Sequence, residues 1–426
     1  MVENLLAFNG NVVGKGQLIE ISQGKPIVPD RPVIPFIAGD GIGQEITNAM
    51  REVVNRAVGV TYGRKRKIAW LETYAGEKAM EIFGSALPLD TLKAIELFRV
   101  AIKGPLNTPT GQGLRSLNVA LRSHFDLYQC VRPLRHFVGV PSPMVRPQDL
   151  NVVIFRENTE DVYAGIEYQQ GSDKALQLAA FLEKLGETIR PDSGIGIKII
   201  SREGSRRLVR SALQYAVNHK LSSVTLVHKG NIQKFTEGAF LRWGEELAQE
   251  EFADYIVSES ELWRKHDGVL PEGKIVLRSR IADAMFAELL LRPTNHSVIA
   301  SCNLNGDYLS DAAAGQVGGL GMAPGANIGD NYAIFEATHG TAPDIAGKNI
   351  ANPSSLILSA VMMLDFMGWK EAAELIVEAL AATIADGHLT KDLAVQAGVA
   401  QHLSTTEFAA ALVKTVRRLA RKKRMK

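Results

Sequence analysis

A chain of 426 residues is long enough for two or three domains and a large apolar core. Its 46% hydrophobic and 22% charged residues are those of a globular protein, and no apolar run reaches the ~18 residues of a membrane span. The formal charge is +2, and the two cysteines, Cys130 and Cys302, lack metal spacing, which points to a cytoplasmic fold held by packing.

In chain order, residues 1–10 lack the basic lead-in and apolar length of a signal peptide. Val33–Ile37 reads as a strand, Gly39-Asp40-Gly41-Ile42-Gly43 as a turn, and residues 44–57 as a helix with apolar side chains at helical spacing. The turn is GxGxG, not the dinucleotide fingerprint GxGxxG, and fits a plain strand-to-helix turn as well as a cofactor role. Further strands are expected at 151–155, 196–200, 223–227, 297–300 and 332–338, with helical patterns between several of them. Such alternation predicts an α/β fold. Residues 164–195 are less regular and read as an insertion, and the glycine-rich stretch 318–325 as a crossover. Residues 417–426 carry seven basic side chains after an apolar-periodic stretch at 407–413. With no aromatic side chains interleaved, they read as the cationic end of a helix and not as a nucleic-acid surface.

Several segments carry chemistry. In the run from Ser116 to Arg122, Ser116 and Asn118 offer neutral hydrogen bonds near a helix start, and Arg122 offers a fork of donors. Arg132 and Arg156 stand in two further contexts, Val131-Arg132-Pro133 and Phe155-Arg156-Glu157. Three arginines, if convergent, suit a tricarboxylate. Asp307 and Asp311 are spaced to share a helical face, with a third acid at Asp283. Carboxylates so paired suit Mg²⁺ or Mn²⁺, although the spacing fits a solvated acidic face equally well. Tyr163 and Lys234 are the candidate acid–base pair. His339-Gly340-Thr341-Ala342-Pro343-Asp344-Ile345 closes the 332–338 run and opens a turn. A carboxylate such as Asp344 accepts hydrogen bonds from ribose hydroxyls and repels a 2′-phosphate, so NAD is expected over NADP.

Together, these segments resemble the β-decarboxylating dehydrogenase (isocitrate/isopropylmalate dehydrogenase) family, most closely its bacterial homodimeric branch acting on isocitrate. The resemblance runs from FIAGDGIG at 36–43 through RSLNVALR, VIFRENTEDVYAGIE, VHKGNIQKF and NLNGDYLSDA to EATHGTAP. It implies a fold other than the Rossmann type. A large α/β domain would be built from residues 1–127 and 320–426. A small domain would comprise 128–160 and 206–319, with a clasp insertion at 161–205. The reaction implied is oxidative decarboxylation of isocitrate to 2-oxoglutarate and CO₂ with Mg²⁺ or Mn²⁺. Substrate contacts would fall on Ser116, Asn118, Arg122, Arg132 and Arg156, and metal carboxylates on Asp307 and Asp311. Asp283 and Lys234 would reach in from a second subunit of a homodimer, and Tyr163 would be the acid. Cofactor contacts would be Asn107, Thr108, His339, Gly340, Thr341, Ala342, Asp344, Ile345, Asn352 and Lys391. NADP-using members carry Lys-Tyr at the place of Asp344-Ile345, and Tyr and Arg at the places of Lys391 and Val395. That departure again implies NAD. Ser116 would be a control point for a regulatory kinase, and neither a membrane nor a nucleic acid is expected as a partner. An isopropylmalate-acting relative would place apolar side chains at Ser116, Asn118 and Arg122.

Overall fold

The computed structural model describes residues 6–22, 25–107 and 116–424. Eleven strands form one continuous sheet. They are β1 (Val33–Ile37), β2 (Ala69–Thr73), β3 (Val100–Lys103), β4 (Gln129–Arg135), β5 (Asn151–Glu157), β6 (Ser223–His228), β7 (Ile256–Ser258), β8 (Ile275–Ile281), β9 (Val298–Ser301), β10 (Pro324–Ile328) and β11 (Ala333–Ala337). Their order across the sheet is β7-β8-β6-β9-β5-β4-β10-β11-β3-β1-β2. Both wings are parallel, while the centre is antiparallel at β5–β4, β4–β10 and β10–β11. Parallel strands need helices on both faces, which is why β1, β3 and β6 are buried at every residue.

The helices used below are α1 (Gly43–Tyr62), α2 (Leu117–His124), α3 (Arg202–Asn218), α4 (Glu237–Phe252), α5 (Asn303–Gln316), α6 (Ser354–Phe366), α7 (Lys370–Ala385), α8 (Lys391–Gln396) and α9 (Thr405–Arg424). The stripe Ile46, Met50, Val53, Ala57 on α1 joins Phe408, Leu412 and Val416 of α9 in the largest core, over β1, β3 and β11. A second core lies between α3, α4 and strands β4, β5, β6 and β9. A third, on the opposite face of the same wing, includes Leu309, Ala313 and Ala314 of α5.

Two sequence expectations change. In the 196–200 run only Ile195–Gly196 is strand, paired with Glu167–Tyr168 in a two-stranded ribbon. The rest is drawn out of any sheet because Lys198 turns its ammonium onto Asp161 and Glu237, and the Ile199 carbonyl is taken by Asp161 N. Residues 164–195 are more regular than expected and contain a helix at Asp173–Lys184, capped by Ser172. Among the described residues no helix is long and apolar enough to cross a membrane.

Candidate active site

Strand alternation decides which side chains can meet. Arg132 on β4 and Arg156 on β5 leave the sheet on one face, toward α5, while their neighbours Val131 and Phe155 pack in the second core on the other. On α5, Asp307 and Asp311 are one turn apart as the sequence suggests. Asp307 receives Arg156 Nη1 in a short ion pair and Arg132 Nη1 at 3.5 Å, and Asp311 receives Arg132 Nη1 at 3.0 Å. Tyr163 donates its hydroxyl to the other oxygen of Asp307, and its ring lies 4.8 Å beneath the Arg156 guanidinium. Asn303 Oδ1 and Ser310 Oγ hold the two arginines from the same helix, at 2.8 and 2.5 Å.

Arg122 reaches the cluster from α2, whose first flanking residue is Ser116. Its Nη2 donates to Glu336 Oε1 at 2.8 Å, and Lys103 Nζ meets Glu336 Oε2 at 2.5 Å. All three side chains are nearly inaccessible. Burial pushes the Glu336 carboxyl up, but the Lys103 and Arg122 cations outweigh it and hold it well below the usual carboxylate range. Asn327 Nδ2 also donates to Glu336, and Asn158 donates to Asn327 Oδ1 at 2.9 Å. Glu336 was not singled out from the sequence, yet an acid inside the apolar run 333–337 was a usable signal.

Each arginine keeps a buried N–H with no acceptor: Nε of Arg122, Nε of Arg132 and Nη2 of Arg156. Asn118 Oδ1 is buried without a donor. Unpartnered buried polar groups are costly, so three spare guanidinium N–H groups call for an anionic ligand as acceptor, and Asn118 Oδ1 calls for a donor such as a substrate hydroxyl. Burial raises Tyr163 first, and the Asp307 hydrogen bond adds to it, to about 12, so the phenol keeps its proton at neutral pH. Burial also works upward on Asp307, but Arg156 and Arg132 prevail and hold it low, while at Asp311 burial prevails and raises it.

Lys234 and Asp283 do not join this cluster within one chain. Lys234 is exposed on the loop before α4, and Asp283 is ion-paired to Lys229. Among the described residues no three His, Cys, Asp or Glu side chains form a metal-holding group. Asp307 and Asp311 supply two hard oxygen ligands, a chemistry that fits Mg²⁺ or Mn²⁺ once a third carboxylate is brought in.

Beside the cluster runs a groove of about 600 Å³ lined by Ile42, Gly321, His339, Gly340, Ala342, Ile345, Ile350, Ala351, Asn352, Lys391, Asp392 and Val395. The GxGxG turn builds one wall. Ile42 N donates to Thr341 O at 2.9 Å, and a Cβ on Gly41, at φ +56°, would meet that oxygen at 2.1 Å, so only glycine fits. Ala342 is held at φ +41°, a strained value for a residue with a side chain. His339 Nε2 is buried and unpartnered, and burial lowers its basicity. Asn352 Nδ2 ties Asp392 at 3.0 Å. Asn107 N is held by Asp40 at 2.8 Å, and Thr108 lies outside the described residues.

Comparison with known proteins agrees with this geometry. The model of the isocitrate/isopropylmalate dehydrogenase family matches residues 33–412. A protein of Archaeoglobus fulgidus named isocitrate dehydrogenase (NADP) is 52% identical over 405 residues, covering 95% of this chain and 97% of that relative. One of Coxiella burnetii with the same name is 52% identical over 411 residues, covering 95% and 96%. The crystal structure of isocitrate dehydrogenase from Methylococcus capsulatus superposes with a TM-score of 0.76 at 39% identity, covering 91% of this chain and 99% of that one. These relatives overturn the expectation of NAD, since those about half identical in sequence are named for NADP. The physical reason is position: Lys391, though exposed, lines the groove, where the neighbouring Asp392 is tied to Asn352 and Thr390, whereas Asp344 is exposed and outside the lining. An exposed carboxylate is screened by water and salt and repels a phosphate weakly. On its sequence, its sheet and its residue set, the chain belongs to the isocitrate/isopropylmalate dehydrogenase family.

Proposed function

We propose that the protein oxidises and decarboxylates isocitrate to 2-oxoglutarate and CO₂ with reduction of NADP. The observation that carries this reading is the set of three buried guanidiniums, each with a spare N–H, gathered around Asp307 and Asp311. Three fixed cations suit the three carboxylates of isocitrate. Ser116 and Asn118 would add neutral hydrogen bonds from the start of α2. The names of the relatives and the place of Lys391 in the groove support NADP.

The active site is read as shared between two copies, with Lys234 and Asp283 of a second copy entering beside Tyr163, Asp307 and Asp311. The exposed apolar residues Ile232, Phe235 and Leu291, near Lys234 and Asp283 in sequence, fit such a contact. A bound Mg²⁺ or Mn²⁺ would supply Lewis acidity at the C2 oxygen. Lys234 would take the C2 hydroxyl proton, and a bound nicotinamide would supply the hydride acceptor for C2. After CO₂ has left, Tyr163 gives its proton to C3. The cores follow in the main a division into a large unit (1–127 and 320–426), a small unit (128–160 and 206–319) and a clasp (161–205), although Phe137 and Val140 pack in the large core and Ala323 in a small-unit core. A cytoplasmic setting fits two buried, unbridged cysteines. Phosphorylation of Ser116 would set about −2 of charge against the substrate's carboxylates and block binding.

The test is an assay of NADPH and NADH formation from isocitrate with Mn²⁺, alongside 3-isopropylmalate. Fast NADPH formation with isocitrate and none with isopropylmalate is the expected result. Turnover of isopropylmalate alone would sink the substrate assignment.

A further inference from the structure

Two buried carboxylates and a partly buried ammonium meet behind the substrate cluster. Lys198 Nζ pairs with Glu237 and lies 3.1 Å from Asp161 Oδ1. Both carboxylate side chains are 1% exposed, so one ammonium offsets two ions withdrawn from water. Each carboxylate then holds a different part of the site. Asp161 accepts Val162 N at 2.8 Å and Leu304 N at 3.1 Å, which fixes the turn before Tyr163 to the first turn of α5, ahead of Asp307. Glu237 accepts Lys229 N and, at 2.7 Å, Asn305 Nδ2. It thereby fixes the 229–236 loop, which carries Lys234, to the same turn of α5. Asp161 sits at φ +69°, in the left-handed region, and its N–H is committed to Ile199 O beside Lys198 at 2.8 Å. Such a backbone persists only where its surroundings over-determine it.

We propose that Lys198 is a positioning residue for two active sites at once. Through Asp161 and α5 it sets Tyr163 and Asp307 of its own site. Through Glu237 it sets the loop that delivers Lys234 to the site of a second copy. The inference rests on the two-copy site proposed above. Without the ammonium, Asp161 and Glu237 repel each other across a poorly solvated gap, and both anchored segments loosen. Arg122 is held by Glu336 through a separate network, and Arg132 keeps Ser310 and Asp311 beyond the loosened turn, so isocitrate binding falls less than turnover.

The test uses mixed dimers of one tagged wild-type subunit and one variant subunit. Tyr163→Phe or Lys234→Met in one subunit spoils one site of two and leaves about half of wild-type turnover. Lys198→Gln in one subunit is expected to lower both sites, leaving about a quarter or less, with KM for isocitrate within about twofold. Lys198→Arg restores most of the loss. A Lys198→Gln mixed dimer that keeps half or more of the turnover overturns the proposal. If Lys198→Gln does not fold, Asn305→Ala cuts the link from Glu237 to α5 while keeping all three charges. Because the Asp161 branch is untouched, it is expected to lower the second copy's site alone and leave a mixed dimer at roughly half to three quarters of wild-type turnover; turnover equal to wild type is equally fatal. No recovered turnover on mixing Tyr163→Phe subunits with Lys234→Met subunits would instead overturn the shared-site reading itself.

Discussion

Lys391 is a cation in the cofactor groove, where Asp392 is already tied to Asn352 and Thr390, and Asp344 is an anion outside the lining. A charge-assisted hydrogen bond to a 2′-phosphate is worth about 1.5–3 kcal/mol. Lys391→Ala should therefore lower kcat/KM for NADP roughly tenfold or more and change that for NAD less than about threefold. Asp344→Ala should change neither by more than about threefold, because its charge is screened. Steady-state kinetics with both cofactors decide the matter, and a large gain in NADP use by Asp344→Ala would return that carboxylate to the groove. Glu336 makes a second prediction, about pH. Its folded carboxyl is held below its unfolded value by Lys103 and Arg122. It contributes stability that is present above about pH 4.3 and is lost as pH falls below that. Glu336→Gln leaves two buried cations uncompensated and should cost about 3–5 kcal/mol at pH 7. Denaturation at pH 7 and at pH 3.5 should show the gap narrowing in acid; a gap constant with pH would refute the linkage.

At the scale of elements, α9 covers α1, and Phe408, fully buried between them, is the contact to remove. Phe408→Ala should cost about 3–5 kcal/mol and lower Tm by several degrees while leaving KM for isocitrate unchanged. A loss of isocitrate affinity at unchanged Tm would show that this helix pair acts on the site and not on the core. Elements with a clear period were legible from the sequence: β1, α1, β5, β6, β9 and β11 stand within a few residues of where alternation and helical spacing put them. β2, β3 and β4 were not read, because their side chains face two different partners and show no single period. Arg122, Arg132 and Arg156 were legible as types, but not their convergence, which depends on strand order. Lys198 was hidden for a related reason. It stands in an apolar run that imitates a strand, and its partners lie 37 and 39 residues away on either side. The helix at Asp173–Lys184 was missed because Leu176 and Phe181 are exposed, so its apolar side chains answer to no core within the chain.

At the scale of the whole molecule, Lys234 and Tyr163 belong to the same chain, yet the proposed function sends them to different sites. Mixing a Lys234→Met subunit with a Tyr163→Phe subunit should create one intact site per mixed dimer. Activity should then return to about half of wild type per mixed dimer, from two nearly inactive parents. Subunit exchange shown by tags, without any recovered turnover, would place Lys234 in its own chain's site. The sheet order also bears on biosynthesis. β11 lies between β10 and β3, and α9 closes over α1, so the first third of the chain leaves the ribosome without its closing pieces. Roughly 350 residues separate α1 from α9, which at ~5–20 residues per second is about 20–70 s of elongation. Until β11 pairs with β3, and α6, α7 and finally α9 close over α1, Ile46, Met50 and Val53 lack cover and β3 has an open edge, the surfaces that holding chaperones bind and aggregates share. The yield of such a chain in a cell should then depend not only on how stable the finished molecule is but on how well its unfinished half is guarded until the last helix arrives.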